Sequence, residues 1–162
     1  MNKILFIKHW QLFLLVVLTG FWVSPSPLKE IINMISIITF TIWAYAIVVQ
    51  GQEKLQKFGY CKNLIFFKSN IVLIATTMTV SLFISDELES TIMVIFLILF
   101  SIYLLFAIFY CIYLVAKTIK SVEMNKKAGF KDYNGYLLLI FFFFIGVWVL
   151  QPKVNRIFSD DC

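Results

Sequence analysis

Long apolar stretches alternate with short polar ones along this chain, and that alternation restricts the folds available to it more than any other feature. Four stretches, at residues 10–24, 30–50, 64–84 and 91–116, are apolar enough to form membrane-spanning helices. Hydrocarbon about 30 Å thick is crossed by a helix of roughly 20 apolar residues. Period-2 alternation, which is typical of an outer-membrane barrel, is absent. The pattern therefore predicts an all-α membrane protein with four transmembrane helices arranged as two hairpins.

Composition supports a single helical membrane domain over residues 1–162. Apolar residues make up 61% of the chain and charged residues 14%. A soluble domain carries about 45–50% apolar and about 25% charged residues, so this apolar excess exceeds what one small water-soluble core buries. The start of the chain is interpreted as an uncleaved first span, because Trp22 stands where a signal-peptide cleavage site needs a small residue.

A fifth apolar stretch, residues 136–150, contains four consecutive phenylalanines and predicts one short helix that is re-entrant, interfacial or spanning. It is shorter than the roughly 17–25 residues of a normal span, and Pro152 discourages its continuation. A spanning helix would also place Lys153 and Arg156 on the side opposite to the other basic clusters. Length favours the re-entrant or interfacial alternative.

The distribution of charge predicts the orientation. Basic residues concentrate before the first span and in the connections at 51–63 and 117–134, whereas the connection at 85–90 carries only acids. Positively charged connections stay on the cytoplasmic side. We therefore expect a bacterial inner-membrane protein with a cytoplasmic N-terminus. Residues 117–131 are interpreted either as an amphipathic helix on the inner leaflet or as a solvated loop.

Two groups of residues are candidates for a structural or functional role in the membrane. Basic and tryptophan side chains near the ends of the apolar stretches suit interfacial anchors. The predicted anchors are Lys8, Trp10, Lys68, Trp148, Lys153 and Arg156. Hydroxyl groups within the spans predict either a helix-packing face or a pore lining. The residues proposed for that face are Thr76, Thr79, Ser36 and Thr39.

No recognisable catalytic or cofactor motif accompanies these spans. His9 is the only histidine, no carboxylate pair lies within a span, and there is no glycine-rich phosphate loop. The three cysteines form no C-x-x-C pair. No basic stripe with interleaved aromatics is present on a solvated face, which argues against nucleic-acid binding. We expect a non-enzymatic protein without a metal or cofactor.

The two ends of the chain carry a family resemblance. Residues 8–13 (KHWQLF) and 145–158 (IGVWVLQPKVNRIF) resemble small polytopic inner-membrane proteins of Bacteroidota for which no activity is assigned. The resemblance covers only these end segments. It implies an inner-membrane location and a short cytosolic tail, and it implies no catalytic activity.

Three functions remain as hypotheses at this point. The first is an accessory or scaffold subunit of a membrane assembly, whose partners are the lipid bilayer and other membrane helices, from a second copy or from another protein. The second is an oligomeric channel or effector pore with the hydroxyl face inside. The third is an immunity-type protein that blocks a membrane toxin.

Overall fold

Helices account for nearly all of the residues that the structure describes. The computed structural model describes residues 8–18, 28–60, 63–81 and 91–159. Within those ranges there is no strand, so the prediction of an all-helical chain is confirmed. The helices there are α1 (His9–Phe13, continued by a π-helical segment over Leu14–Leu18), α2 (Leu28–Gln56), α3 (Ile65–Ser81), α4 (Thr91–Met124), α5 (Phe130–Phe141) and α6 (Phe143–Ser159).

Two of these helices are long and apolar enough to cross a membrane. The qualifying segments are Ile31–Gln56 in α2 and Leu97–Met124 in α4. Helix α3 is apolar over Ile65–Thr79 but shorter, and its 17 residues extend about 25 Å. Residues 82–84 of the predicted span at 64–84 and residues 19–24 of the predicted span at 10–24 lie outside the described residues. Helices of spanning length therefore coincide with two of the four predicted spans.

The lysine-rich segment after the fourth apolar stretch is largely helical. Helix α4 continues without a break to Met124, beyond the predicted end at residue 116. The chain then turns at Asn125, which has a φ of 51°, and α5 begins at Phe130. Asp132 accepts a hydrogen bond from the backbone N–H of Gly129, which supports this helix start. Residues 117–124 thus extend α4, and they form neither a separate surface helix nor a loop.

The prediction of one helix over residues 136–150 is wrong, because the chain reverses direction inside the phenylalanine run. Helix α5 ends at Phe141, and Phe142 (φ −91°, ψ 55°) is non-helical. The turn brings Gly146 so close to α5 that a Cβ atom built on it would lie 1.7 Å from the Leu139 carbonyl oxygen. Glycine is the residue that permits such an approach. The result is a hairpin of two helices, α5 and α6.

Contacts between helices define their directions. Gly51 lies against Thr118, so α2 and α4 run parallel and end at the same end of the bundle. Lys54 contacts the Ile157 carbonyl, which brings the end of α6 to that end as well. Helix α3 is antiparallel to α4, since Asn70 meets Tyr103 whereas Phe66, earlier in α3, packs against Tyr110, later in α4.

The hairpin packs against the two long helices along only part of their length. Phe143, at its tip, makes edge-to-face contacts with Phe40 and Trp43, near the middle of α2. On its other side, Phe141 stacks on Phe109 of α4. The buried core surrounds this junction and includes the fully buried Trp43. Helices α5 and α6 extend about 18 Å and 25 Å, so each is shorter than a 30 Å hydrocarbon layer.

Candidate functional site at the basic end of the bundle

Positive charge concentrates at one end of the bundle, where α2, α4 and α6 finish and α5 begins. We call this region the basic end. Among the described residues it contains nine cations and three acids, Glu53, Glu123 and Asp132, for a net charge of +6. The cations are Lys54, Lys57, Lys117, Lys120, Lys126, Lys127, Lys131, Lys153 and Arg156. Three stretches of chain that are separate in sequence thus contribute to one electropositive surface.

A hydrogen-bonded network at the basic end joins α4 to the hairpin. Tyr136 donates a hydrogen bond to the Glu123 carboxylate (2.7 Å) and accepts one from the Lys153 ammonium (3.1 Å). Lys120 forms an ion pair with the same Glu123 oxygen at 2.9 Å. The ammonium groups of Lys120 and Lys153 also lie over the Tyr136 ring, at 5.6 Å and 5.1 Å from its centre. The negative charge of the Glu123 carboxylate is therefore balanced by Lys120, and Tyr136 occupies the same oxygen.

The buried position of Tyr136 affects its ionisation. Burial, reinforced by the hydrogen bond to Glu123, raises the pKa of Tyr136 to about 12. The phenol therefore remains a hydrogen-bond donor at physiological pH, as its contact with the Glu123 carboxylate requires. It acts here as a structural bridge between α4 and the hairpin.

Lys117, one turn before Lys120 in α4, contacts two further tyrosines of α4 and α5. The ammonium of Lys117 donates to the Tyr113 hydroxyl (2.9 Å) and lies over the rings of Tyr113 and Tyr133. Tyr113 and Tyr133 pack edge to face. This arrangement holds the Lys117 stem in place and leaves two of its three N–H donors without an assigned acceptor.

Two of the six predicted anchors belong to the basic end, and the other four lie elsewhere on the surface. Lys153 and Arg156 belong to the basic end, where Lys153 contacts Tyr136. Lys8, Trp10 and Lys68 are exposed at the starts of α1 and α3. Trp148 is half-exposed on α6 and contacts Phe13. The structure thus brings Lys153 and Arg156 into one region, and it places the other four on the sides of the bundle.

Three of the four hydroxyl groups proposed for a packing or pore face donate to backbone carbonyl groups. Thr76 and Thr79 donate to the carbonyls of Val72 and Ala75 within their own helix, α3. Ser36 is buried on α2 and donates to the carbonyl of Leu15, in the π-helical segment after α1. Thr39 is half-buried on α2.

Two buried polar contacts inside the bundle were not singled out from sequence. Trp43 donates from its indole to the side-chain oxygen of Gln151 at 2.8 Å, which ties α2 to α6. Tyr103 donates to Asn70 at 2.8 Å, which ties α4 to α3. Both amides are nearly inaccessible to solvent. The sequence signal was an isolated amide, within the apolar stretch 64–84 at Asn70 and directly after the stretch 136–150 at Gln151, although sequence alone does not identify the partner.

Among the described residues, no group of three or more His, Cys, Asp or Glu side chains is placed to hold a metal ion. The expectations that the chain is non-enzymatic and binds no cofactor stay predictions. No protein-family profile, curated protein sequence or solved structure shows significant similarity to the chain.

Proposed function

We propose that this chain is a non-enzymatic helix-bundle protein of the bacterial inner membrane, where it serves as an accessory or scaffold subunit of a membrane assembly. The observation that carries the proposal is the apolar surface of α4. Leu97, Ile98 and Leu99 are all exposed, and consecutive residues lie about 100° apart on a helix, so apolar side chains face outward around more than half of its circumference.

The core helix of a soluble protein is mostly buried, whereas α2 and α4 are mostly exposed. Only 22% of the most apolar window of α4 is buried within the chain, and 33% of that of α2. The exposed residues continue through Ile102, Leu105 and Phe106, each more than half exposed. A contiguous apolar surface of this kind suits lipid or another apolar helix. Ser101 donates to the carbonyl of Leu97, so its hydroxyl is satisfied on this surface.

The basic end is proposed to face the cytoplasm. Its net charge of +6 agrees with the preference of Lys and Arg for the cytoplasmic side. Helix α1 enters from the same side. Phe13 contacts Trp148 of α6, whereas Leu15, later in the chain, contacts Ser36, which is further from the basic end, so this segment runs antiparallel to α2. In this orientation the α5–α6 hairpin is re-entrant, and the C-terminal end of α6 is cytoplasmic.

Thiol labelling tests the location and orientation. A Cys-free background (Cys61→Ser, Cys111→Ser, Cys162→Ser) receives Ser159→Cys at the exposed end of α6, or Glu87→Cys in the acidic connection. We expect a membrane-impermeant maleimide to label Glu87→Cys on intact spheroplasts and to label Ser159→Cys only after lysis. Labelling of Ser159→Cys from outside would contradict the orientation, and extraction of the chain by alkaline carbonate would contradict membrane integration.

Site-specific photo-cross-linking tests the scaffold role. Benzoylphenylalanine in place of Phe106, which is 57% exposed, should cross-link to a second protein chain in intact membranes. The matched control replaces Phe67, which is fully buried, and should give only intramolecular products. Discrete dimer-sized or hetero-complex bands at Phe106 support the scaffold role. Lipid adducts alone, at physiological expression, would refute it.

A further inference from the structure

A cavity of about 190 Å³ opens at the basic end, between the last turns of α2, the turn that follows it, and α4. Leu55 and Leu114 form apolar parts of its wall, and Gly59 and Tyr60 come from the turn. Its volume is below the roughly 300–1,000 Å³ of pockets that hold drug-sized ligands. The cavity therefore suits a small group or one end of a larger molecule.

Most polar groups that line this cavity can donate hydrogen bonds, and Gln52 adds an amide that can both donate and accept. Lys117 and Lys127 contribute two ammonium groups, and Thr118, Ser121 and Tyr60 contribute hydroxyls. The Ser121 oxygen already accepts from the Ala128 N–H, which directs its remaining capacity towards donation. Among the described residues that line the cavity none is acidic, whereas the neighbouring cleft of the basic end is lined by Glu123.

Thr118 gives an independent indication of a ligand. Its side chain is 1% exposed, and its hydroxyl has no hydrogen-bond partner within the protein. Buried hydroxyl groups are nearly always hydrogen-bonded, because an unpaired one has lost its water without compensation. The Thr118 methyl already packs towards Gly51, so the residue has a packing role that valine would also fill. The hydroxyl itself remains unexplained unless a ligand or water completes it.

We propose that this cavity binds a phosphate group. A phosphate offers several strong hydrogen-bond acceptors and few or no donors. Its negative charge also complements the two lysines of the cavity, whose described lining includes no acid. The cavity lies at the level where the apolar part of α4 gives way to lysines, and it has leucines on its wall. Basic pockets between membrane helices on the cytoplasmic side bind anionic headgroups, so a glycerophospholipid would present its phosphate here. That lipid source, but not phosphate binding itself, rests on the proposed membrane location.

The test measures ligand-induced thermal stabilisation of the purified full chain in a neutral maltoside detergent. The probes are dioleoyl phosphatidylglycerol, dioleoylglycerol as the phosphate-free lipid, and glycerol phosphate as the soluble source. The variants are Lys117→Gln and Lys127→Gln in the cavity, and Lys131→Gln as a matched charge loss on α5 outside it. We expect phosphatidylglycerol to stabilise the wild type and the Lys131→Gln variant equally. Each cavity lysine variant should weaken binding by about tenfold or more, because a charge-assisted contact is lost.

Thr118→Val separates binding from folding. The variant keeps the shape of the side chain and removes the unpaired hydroxyl, so the ligand-free protein should unfold at the same temperature or higher. Its stabilisation by phosphatidylglycerol should nevertheless be smaller than that of the wild type. A variant that merely folds poorly would lower the unfolding temperature of the ligand-free protein, so it would not combine unchanged or higher stability with weaker stabilisation by the lipid.

Each outcome decides the proposal. Stabilisation by phosphatidylglycerol alone supports a lipid phosphate, and equal stabilisation by glycerol phosphate supports a soluble phosphate in the same cavity. Stabilisation that is lost equally in Lys131→Gln, or that dioleoylglycerol reproduces, would overturn the site. Phosphate binding by a chain that alkaline carbonate extracts would preserve the site and reject the membrane location.

Discussion

Gly146→Ala should disrupt the α5–α6 hairpin, and the structure allows the size of the effect to be worked out. A Cβ at this position would lie 1.7 Å from the Leu139 carbonyl oxygen and 2.5 Å from the carbonyl carbon. Real Cβ contacts are not shorter than 3.0 Å, so the two helices must separate by about 1.3 Å at least. The obstacle is backbone within α5, which has no rotamer to change.

Such a separation disturbs the contacts at the hairpin tip. The Gly146 N–H donates to the Phe142 carbonyl, and Phe143 packs against Phe40 and Trp43. Overpacking costs typically about 1–3 kcal/mol, and a backbone obstacle places this change at the upper end or beyond. At about 2–4 °C per kcal/mol for a chain of this size, the midpoint of thermal unfolding should fall by roughly 6 °C or more.

Gly135→Ala is the matched control within the same hairpin. Nothing lies within 4 Å of a Cβ at Gly135, which is in the middle of α5. Alanine in a helix interior is more stable than glycine by roughly 0.5–1 kcal/mol, so this variant should unfold at the same or a slightly higher temperature. Thermal unfolding in maltoside micelles, followed by tryptophan fluorescence, gives both values. Changes of the same sign and size in the two variants would refute the close-approach argument.

Three further predictions concern separate parts of the bundle. Gln151→Met leaves the buried Trp43 indole without its acceptor and should lower stability by about 1–3 kcal/mol, measured by chemical denaturation, unless Trp43→Phe is also present. A difference absorbance titration of the wild type against Tyr136→Phe should show a phenol with a pKa of about 12. Because this pKa exceeds the ordinary value of about 10, the contribution of the protonated Tyr136 to stability should be constant below pH 10 and should fall between about pH 10 and 12. Thr76→Val and Thr79→Val should change the free energy of unfolding by less than about 0.5 kcal/mol. Planar bilayers that contain the wild type should show no conductance. The pore hypothesis instead requires a conductance, and it requires these two variants to reduce it.

The sequence predicts the positions of the long helices well, because each coincides with an uninterrupted apolar run. Helices α2 and α4 cover the predicted stretches 30–50 and 91–116. The extension of α4 to Met124 was not predicted, since lysines at helical spacing suit a surface helix as well as a continuing one. What decides between them is tertiary: Lys120 and Glu123 pair with each other and with Tyr136 across the bundle.

The break at Phe142 is the main feature that apolar periodicity does not reveal. Four phenylalanines in succession are equally compatible with one helix and with two, since hydrophobicity alone carries no information on chain reversal. Gly146 was the available signal, but a single glycine is also tolerated within a continuous membrane helix. The candidate phosphate cavity is even harder to predict from sequence, because only the fold brings Lys117 and Lys127 close to Tyr60.

The hairpin resolves a conflict between apolarity and charge. As one spanning helix, the fifth apolar stretch would carry Lys153 and Arg156 away from the other cations and against the preference of basic residues for the cytoplasm. Reversal at Phe142 returns both residues to the basic end, where Lys153 contacts Tyr136. The apolar tip still contacts Phe40, near the middle of α2. One close approach at Gly146 thus lets the same segment bury apolar rings and keep its charges at the proposed cytoplasmic end, so loss of that approach should disturb packing and topology together.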